Sequence, residues 1–203
     1  MGTVVTGATI TFAAYLVGSI PFAYLVGRWV AGVDLRIAGE GNVGARNAYH
    51  VVGPGWGVAV FLMDMAKGGV VGLALQDRPG WQLSVGGVAV VAGHAFPIWL
   101  RFVGGKGVAT AGGVGIAVFL PAAVIGGAAA GAVFAATRRF LPTVIVAIIG
   151  SFAAAALLGE PGARMGIVVS LFVLTGIKRA IDEPRMRRIE AATGWDRATG
   201  GTH

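Results

Sequence analysis

Long apolar segments are the feature that most constrains how this chain can fold. Charged residues make up only 12% of its 203 residues, whereas soluble domains carry roughly 25%. A helix needs about 20 apolar residues to cross a hydrocarbon layer of about 30 Å. The sequence therefore predicts an all-α, polytopic membrane protein with about seven transmembrane helices. The predicted segments lie near residues 4–27, 54–76, 83–101, 108–120, 121–137, 142–159 and 163–180.

The segment at 108–120 differs from the others because it is too short for a straight span. Pro121 follows it directly, and proline favours the start of a helix over its interior. We therefore predict a short or half-buried helix that neighbouring helices screen from lipid.

The distribution of positive charge predicts the orientation. With the N-terminus outside, thirteen Lys and Arg residues fall on the cytoplasmic side, Arg197 among them, and two fall outside. This asymmetry fits the positive-inside rule and places the C-terminus in the cytoplasm.

A membrane surface therefore explains the net charge of +7 better than nucleic acid does. The prediction is one membrane domain at 1–180 and a basic, polar tail at 181–203, with the first segment a span and not a removable signal peptide.

The first cytoplasmic loop, residues 28–53, concentrates polar side chains between two spans. Arg46 offers a planar donor fork suited to phosphate or carboxylate. Glu40 and His50 are candidates for proton transfer, and Asn42 and Asn47 supply neutral hydrogen-bonding groups. A solvated connector would also contain turn residues, but this polar density favours a site.

Asp64 and Lys67 lie inside the second apolar segment. Their spacing of three places them on one helix face. Ionisable residues within a span are costly and indicate function by default. A structural ion pair that fixes helix packing explains them equally well.

Residues 101–110, RFVGGKGVAT, interrupt two apolar segments with a glycine-rich cluster. Gly104, Gly105 and Gly107 can expose backbone N–H groups, and Lys106 adds a positive charge. The N-terminus of a following helix would favour an anion as well. The pattern predicts a phosphate-binding loop, although it lacks the Walker A spacing and a simple interfacial turn is the alternative. The chain has no cysteine, and no residue cluster suggests a metal or an organic cofactor.

Four separated motifs resemble the bacterial acyl-phosphate:glycerol-3-phosphate acyltransferase family, of the PlsY type. The resemblance covers roughly residues 15–180. The motifs are GSIPFAYLVG at 18–27, GEGNVGARNAYHVVG at 39–53, DMAKGG at 64–69 and GHAFPIWLRFVGGKGVAT at 93–110. It implies a bacterial plasma-membrane enzyme of phospholipid synthesis whose site faces the cytoplasm. Its partners would be acyl phosphate, glycerol 3-phosphate and membrane lipid, and its products lysophosphatidic acid and phosphate.

As a working hypothesis for this reaction, we expect each polar residue to have a role. The expected catalytic residues are His94, Glu40, His50 and Asn47. The expected substrate- and phosphate-binding residues are Gly104, Gly105, Lys106, Gly107, Asn42 and Arg46. The residues expected to support the site are Asp64, Lys67 and Ser19.

The first cytoplasmic motif departs from the family pattern at three positions. Glu40 stands where the family usually has serine, Arg46 where it has threonine, and His50 where it has arginine. Two alternatives follow. One is a related acyltransferase with a different acceptor, and the other is a catalytically silent membrane subunit that binds lipid phosphate or a partner protein. A small transporter ranks last, because the segments show no clear inverted repeat.

Overall fold

The structure, a computed structural model, describes residues 2–196 and 201–202. It is a helical bundle, as predicted. The helices are α1 (Gly2–Gly18), α2 (Phe22–Val30), α3 (Ala45–Val51), α4 (Pro54–Leu75), α5 (Gly80–Ala95), α6 (Val108–Val118), α7 (Leu120–Thr137), α8 (Phe140–Leu157) and α9 (Gly162–Thr193). A 3₁₀ turn, Ile98–Leu100, follows α5. The strands β1 (Trp195–Asp196) and β2 (Gly201–Thr202) pair antiparallel.

Four helical stretches are long and apolar enough to cross a membrane by length and composition. They are Thr3–Val30, Pro54–Leu75, Gly80–Leu100 and Leu120–Thr137. Val108–Val118 and Pro142–Leu157 are apolar but shorter. The prediction of a short helix after residue 107 is therefore confirmed. The number of spans and their orientation stay predictions, and Arg197 lies outside the described residues.

The first apolar segment, expected as one span over 4–27, is divided into α1 and α2 at residues 19–21. Pro21 causes the break, because proline has no N–H and disfavours helical geometry in the residue before it. The break leaves the carbonyl of Ile20 available, and Lys67 Nζ of α4 donates to it over 3.1 Å. This carbonyl also accepts from the N–H of Phe22 over 3.2 Å, so the backbone at the break is hydrogen-bonded at membrane depth.

Glycines allow the central helices to pack backbone against backbone. A Cβ at Gly68 of α4 would overlap the carbonyl of Thr110 of α6, and one at Gly113 would overlap the carbonyl of Met65. The same close approach joins α1 to α5 at Gly93. Small residues hold membrane helices together in this way, because apolar side chains gain little from leaving lipid.

Helix α9 connects the bundle to the first cytoplasmic loop. It runs without interruption past residue 180, where the sequence placed the start of the tail, and contains Pro184. Arg185 Nη1 donates to the carbonyl of Gly41 over 2.9 Å, and a Cβ at Gly41 would overlap Ile189. Arg185 therefore holds the loop against the helix.

Candidate active site

Asn47 organises the backbone of the first cytoplasmic loop. Its Nδ2 donates to the carbonyls of Leu35, Ala38 and Asn42 over 2.9–3.1 Å. Its Oδ1 accepts from the N–H of Glu40 over 3.0 Å. The side chain is completely buried, so both ends of the amide are used within the loop. These contacts give Asn47 a scaffold role in the loop, and the catalytic role expected from the sequence stays a prediction.

Glu40 lies at the centre of a cluster of charges. Its side chain is completely buried, and its two carboxylate oxygens face different cations. Oε1 lies 3.1 Å from Nε of Arg46, and Oε2 lies 3.5 Å from Nζ of Lys106. The predicted members of the first loop and of the glycine-rich loop therefore meet at one carboxylate. One buried carboxylate is thus shared by two cations, which leaves an excess of positive charge at this point.

Opposing influences act on Lys106. Burial lowers the pKa of its ammonium group, and the nearby carboxylate of Glu40 raises it. The positive charges of Arg179 and Arg46 lower the pKa further. Arg46 and Lys106 share one acidic side chain, and Arg179 lies near enough to Lys106 to affect its pKa. An anionic ligand entering here would relieve the mutual repulsion of these cations.

The glycine-rich loop is held tightly against α5. A Cβ at Gly104 would overlap the carbonyl of His94, and one at Gly105 would overlap His94 Nε2 and the carbonyl of Val43. Gly107 adopts a left-handed conformation, with φ of 87°, immediately before α6. This conformation is unfavourable for other residues. The three glycines are therefore required by close approach or by backbone conformation.

The expectation that successive glycine N–H groups face an anion needs one correction. The N–H of Gly105 donates to the carbonyl of His94 over 3.1 Å, so it is used inside the protein. The first intrahelical bond of α6 runs from Ala111 to Gly107. The N–H groups of the first turn, at Val108 to Thr110, have no acceptor within the helix, which is general at helix N-termini. The donors for an anion thus come from Lys106 and the start of α6.

Replacing Gly105 with alanine is expected to reduce acyl transfer at least tenfold. The new methyl group would displace His94 or the Val43 carbonyl and shift the loop that carries Lys106. Gly131→Ala, in α7, provides the control because a Cβ there has nothing within 4 Å. Initial rates of the two purified variants test this. Equal activity in both would show that the close packing at Gly105 does not position the loop.

Asp64, Lys67 and His94 form a buried ion cluster next to the loop. Asp64 Oδ1 lies 2.8 Å from Lys67 Nζ and 3.3 Å from His94 Nδ1. None of the three is more than 7% exposed. Ser19 lies with them around a cavity that has room for about one water molecule. Because His94 packs against Gly105, the cluster connects α4, α5 and the loop. The supporting role of Asp64, Lys67 and Ser19 and the catalytic role of His94 stay predictions.

His50 and Asn42 differ in how far they are exposed to solvent. His50 is exposed on α3, and its ring meets that of Trp195 edge-on, with centroids 5.8 Å apart. Burial and the charge of Arg46 lower the pKa of its imidazole. Asn42 is buried, and its Oδ1 has no hydrogen-bond partner among the described residues. The loop thus retains one amide group available for a ligand.

An apolar groove of about 170 Å³ begins beside the glycine-rich loop. Val108, the residue after the loop, lines it, and it extends between α4, α6, α7, α8 and α9. Other lining residues are Phe61, Met65, Phe119, Ile148 and Phe172. A groove with this lining suits a hydrocarbon chain. Among residues 2–196 and 201–202, no three His, Asp or Glu side chains are grouped so as to hold a metal ion.

Two features of the site region were not foreseen as such. Lys178 Nζ pairs with Asp182 Oδ2 at 2.5 Å on the inner face of α9, and Lys178 also lies 4.7 Å from the centroid of the Phe96 ring. Arg138 lines a cavity together with Arg46 and His50. The spacing of four between Lys178 and Asp182 fits a helical ion pair. The pair was missed because the predicted boundary between the membrane domain and the tail, at residue 180, separated the two residues.

The motifs and geometry agree with a family comparison. A sequence profile described as glycerol-3-phosphate acyltransferase matches residues 8–185. The chain belongs to the glycerol-3-phosphate acyltransferase family. Glycerol-3-phosphate acyltransferase 4 of Dehalococcoides mccartyi is 37% identical over 177 residues, which cover 86% of this chain and 95% of that protein. The resemblance stated from the four motifs is therefore confirmed.

Solved structures of the integral membrane acyltransferase PlsY have the same fold. The glycerol 3-phosphate form superposes with a TM-score of 0.74 at 33% identity, and covers 90% of this chain and 92% of that one. The lysophosphatidic acid form superposes with a TM-score of 0.71 at 30% identity, with the same coverage. This family member is thus an integral membrane protein of the acyltransferase class, as the sequence predicted.

Proposed function

We propose that this protein transfers a fatty acyl group from acyl phosphate to glycerol 3-phosphate. The products are lysophosphatidic acid and inorganic phosphate, and the reaction serves phospholipid synthesis. The observation that carries the proposal is the meeting of Glu40, Arg46 and Lys106 next to an apolar groove that starts at Val108. Acyl phosphate and glycerol 3-phosphate together need cations for two phosphate groups and an apolar space for one acyl chain.

The proposed reaction requires positioning more than activation, because an acyl phosphate is already a reactive mixed anhydride. A hydroxyl oxygen of glycerol 3-phosphate attacks the acyl carbon and forms the new ester bond. The bond between the acyl carbon and the phosphate oxygen breaks, and phosphate leaves with the electron pair. The hydroxyl proton ends on phosphate or solvent. Holding both anions in one place supplies proximity and offsets their repulsion.

We assign the charged residues of the cluster distinct roles in this step. Lys106 and the first turn of α6 hold the phosphate of one substrate, and Arg46 and Asn42 contact the other. Glu40 keeps the two cations in place before the substrates enter. Its carboxylate can also accept a hydrogen bond from the attacking hydroxyl. His94 supports the loop from behind, with Asp64 on its other nitrogen.

Glu40→Gln is expected to move the alkaline limb of the activity profile to lower pH. Lys106 must be protonated to hold phosphate, and the charge of Glu40 raises its pKa against the effect of burial. Without that charge the pKa falls further, so the ammonium group loses its proton at a lower pH. The measurement is kcat/KM against pH. Glu160→Gln, in the loop between α8 and α9, serves as control, and an unchanged alkaline limb in Glu40→Gln would contradict this role.

Two other functions remain candidates because of the departures at Glu40, Arg46 and His50. A different acceptor would explain why the first cytoplasmic loop has the carboxylate of Glu40 and the guanidinium of Arg46 where the family usually has serine and threonine. A silent subunit would keep the anion site without turnover. Complementation of a bacterial strain that lacks its own acyl-phosphate-dependent enzyme separates them from the proposal. Rescue supports it, whereas failure together with transfer to another polyol phosphate identifies a different acceptor.

We also propose that the protein resides in a bacterial plasma membrane with its site facing the cytoplasm. The loop around Glu40, the glycine-rich loop and the last turns of α9 contact one another, so they lie at the same end of the bundle. This end carries most of the Lys and Arg residues, and the positive-inside rule places such an end in the cytoplasm. Accessibility labelling of a cysteine introduced at the exposed Arg187 in intact cells tests the assignment.

A further inference from the structure

A second cavity lies at the same end of the bundle, next to the charge cluster. It measures about 370 Å³ and is enclosed by α3, α4 and α7. Its polar lining comes from Arg46, Tyr49 and His50 of α3 and from Arg138, which follows α7. Its apolar lining includes Phe61 and Phe134. Two guanidinium groups at one end of an aromatic cavity suit an anionic group joined to an apolar one.

The backbone at Arg138 holds this residue at the cavity. Arg138 ends α7 in a left-handed conformation with φ of 53°, which is uncommon for a residue other than glycine. Its N–H donates to the carbonyl of Phe134 over 2.8 Å, and its guanidinium carbon lies 5.8 Å from the centroid of the Phe134 ring. Within the described part of the chain, no carboxylate lies within ion-pairing distance of Arg138.

The second cavity and the apolar groove share one wall. Phe61 of α4 lines both of them. The two spaces therefore adjoin at this side chain, with a cationic end between α3 and Arg138 and an apolar end between the membrane helices. The ligand that matches this arrangement has one hydrocarbon chain and one compact, multiply charged anionic head.

We propose that this site binds the head of a long-chain phosphate monoester, with Arg138 contacting the phosphate and the chain lying in the groove. The site is separate from the loop that carries Lys106, and it adds Arg138 and His50 to the residues that recognise lipid. The inference rests on the proposed function in one respect, because both the acyl phosphate donor and the lysophosphatidic acid product belong to this chemical class. Arg46 lines this cavity and also pairs with Glu40. It would therefore lie between the bound lipid phosphate and the reacting groups.

The test measures binding of hexadecyl phosphate, which cannot transfer an acyl group, to the full-length protein in neutral nanodiscs. Arg138→Ala is expected to raise the dissociation constant about tenfold or more, because a charge-assisted contact to phosphate is lost. The matched control is Arg139→Ala, which removes a charge from the adjacent, exposed residue that does not line the cavity. It is expected to leave the dissociation constant unchanged. Arg138→Gln keeps most of the side chain and repeats the test if the alanine variant folds poorly.

Further ligands separate this site from the charge cluster and from general lipid contact. Glycerol 3-phosphate has the charge without the chain, and its binding should depend on Lys106 and not on Arg138. A monoacylglycerol has the chain without the charge and should bind the Arg138→Ala variant and the parent protein alike. Equal weakening of hexadecyl phosphate by both arginine variants would overturn the proposal. So would equal competition by two-chain phosphatidylglycerol.

Kinetics identify which natural ligand uses the site. If the donor binds there, Arg138→Ala raises KM for acyl phosphate. If the product binds there, the same variant weakens inhibition by lysophosphatidic acid and leaves KM for acyl phosphate unchanged. A variant that changes neither constant contradicts the proposal. Absence of transfer by the parent protein, together with Arg138-dependent binding of hexadecyl phosphate, would refute the proposed function while supporting this site.

Discussion

Lys106→Ala is expected to lower kcat/KM for acyl transfer by at least about 100-fold. Loss of a single preorganised group that stabilises developing charge costs rates of this order in other enzymes. Here the loss is compounded, because the Lys106 ammonium lies 3.5 Å from the buried carboxylate of Glu40. Without it, Glu40 keeps only Arg46 and repels an incoming phosphate. The rate of lysophosphatidic acid formation at several glycerol 3-phosphate concentrations gives the value.

The control for this variant removes a charge elsewhere at the same end of the protein. Arg187 is exposed on α9 and pairs with Glu183, so Arg187→Ala should leave kcat/KM within about twofold, since surface pairs contribute little. Lys106→Arg retains the charge and should recover part of the activity. Full activity in Lys106→Ala would remove the glycine-rich loop from the mechanism.

Asp64→Ala is expected to destabilise the protein by about 3–5 kcal/mol, because it leaves buried charge without a partner. Asp64 is 2% exposed, Lys67 4% and His94 7%. Removing the carboxylate takes the ion-pair partner from Lys67 and the neighbouring carboxylate from His94, and it disturbs the packing behind Gly105. Unfolding of the purified protein by a denaturing detergent, in a background of mild detergent, gives the free energy difference.

A double substitution distinguishes an ion cluster from simple packing at Asp64. Asp64→Leu combined with Lys67→Met replaces both charges with apolar groups and should destabilise less than Asp64→Ala alone. Asp77→Ala, in the exposed turn after α4, provides the surface control. If Asp64→Ala and Asp77→Ala unfold at the same concentration of denaturing detergent, the cluster does not hold the helices together.

The helices were predictable because their signals are local. A run of apolar residues predicts a span without any knowledge of how neighbouring helices pack. Gly107 and Pro121, on either side of the short helix α6, are also visible in the sequence. The break between α1 and α2 was also present in the sequence, since Pro21 sits within the first motif. The apolar run concealed it, because hydropathy does not distinguish one helix from two.

The partners in the site were less predictable because they depend on contacts between distant segments. Glu40 and Lys106 are 66 positions apart, and no periodicity relates them. Asn47 could be identified as polar and central to its motif, but only the folded loop shows that its amide is used by four backbone groups. Likewise, nothing around Arg138 in the sequence indicates that it meets Arg46 and His50 across the bundle.

The most direct test of the account is a product assay on the purified protein in lipid, supplied only with acyl phosphate and glycerol 3-phosphate. Mass spectrometry would quantify lysophosphatidic acid while released phosphate is measured in the same sample. The account predicts both products in a one-to-one ratio, each dependent on both substrates and on Lys106. Phosphate released without lysophosphatidic acid, or no turnover in a sample that still binds glycerol 3-phosphate, would contradict it.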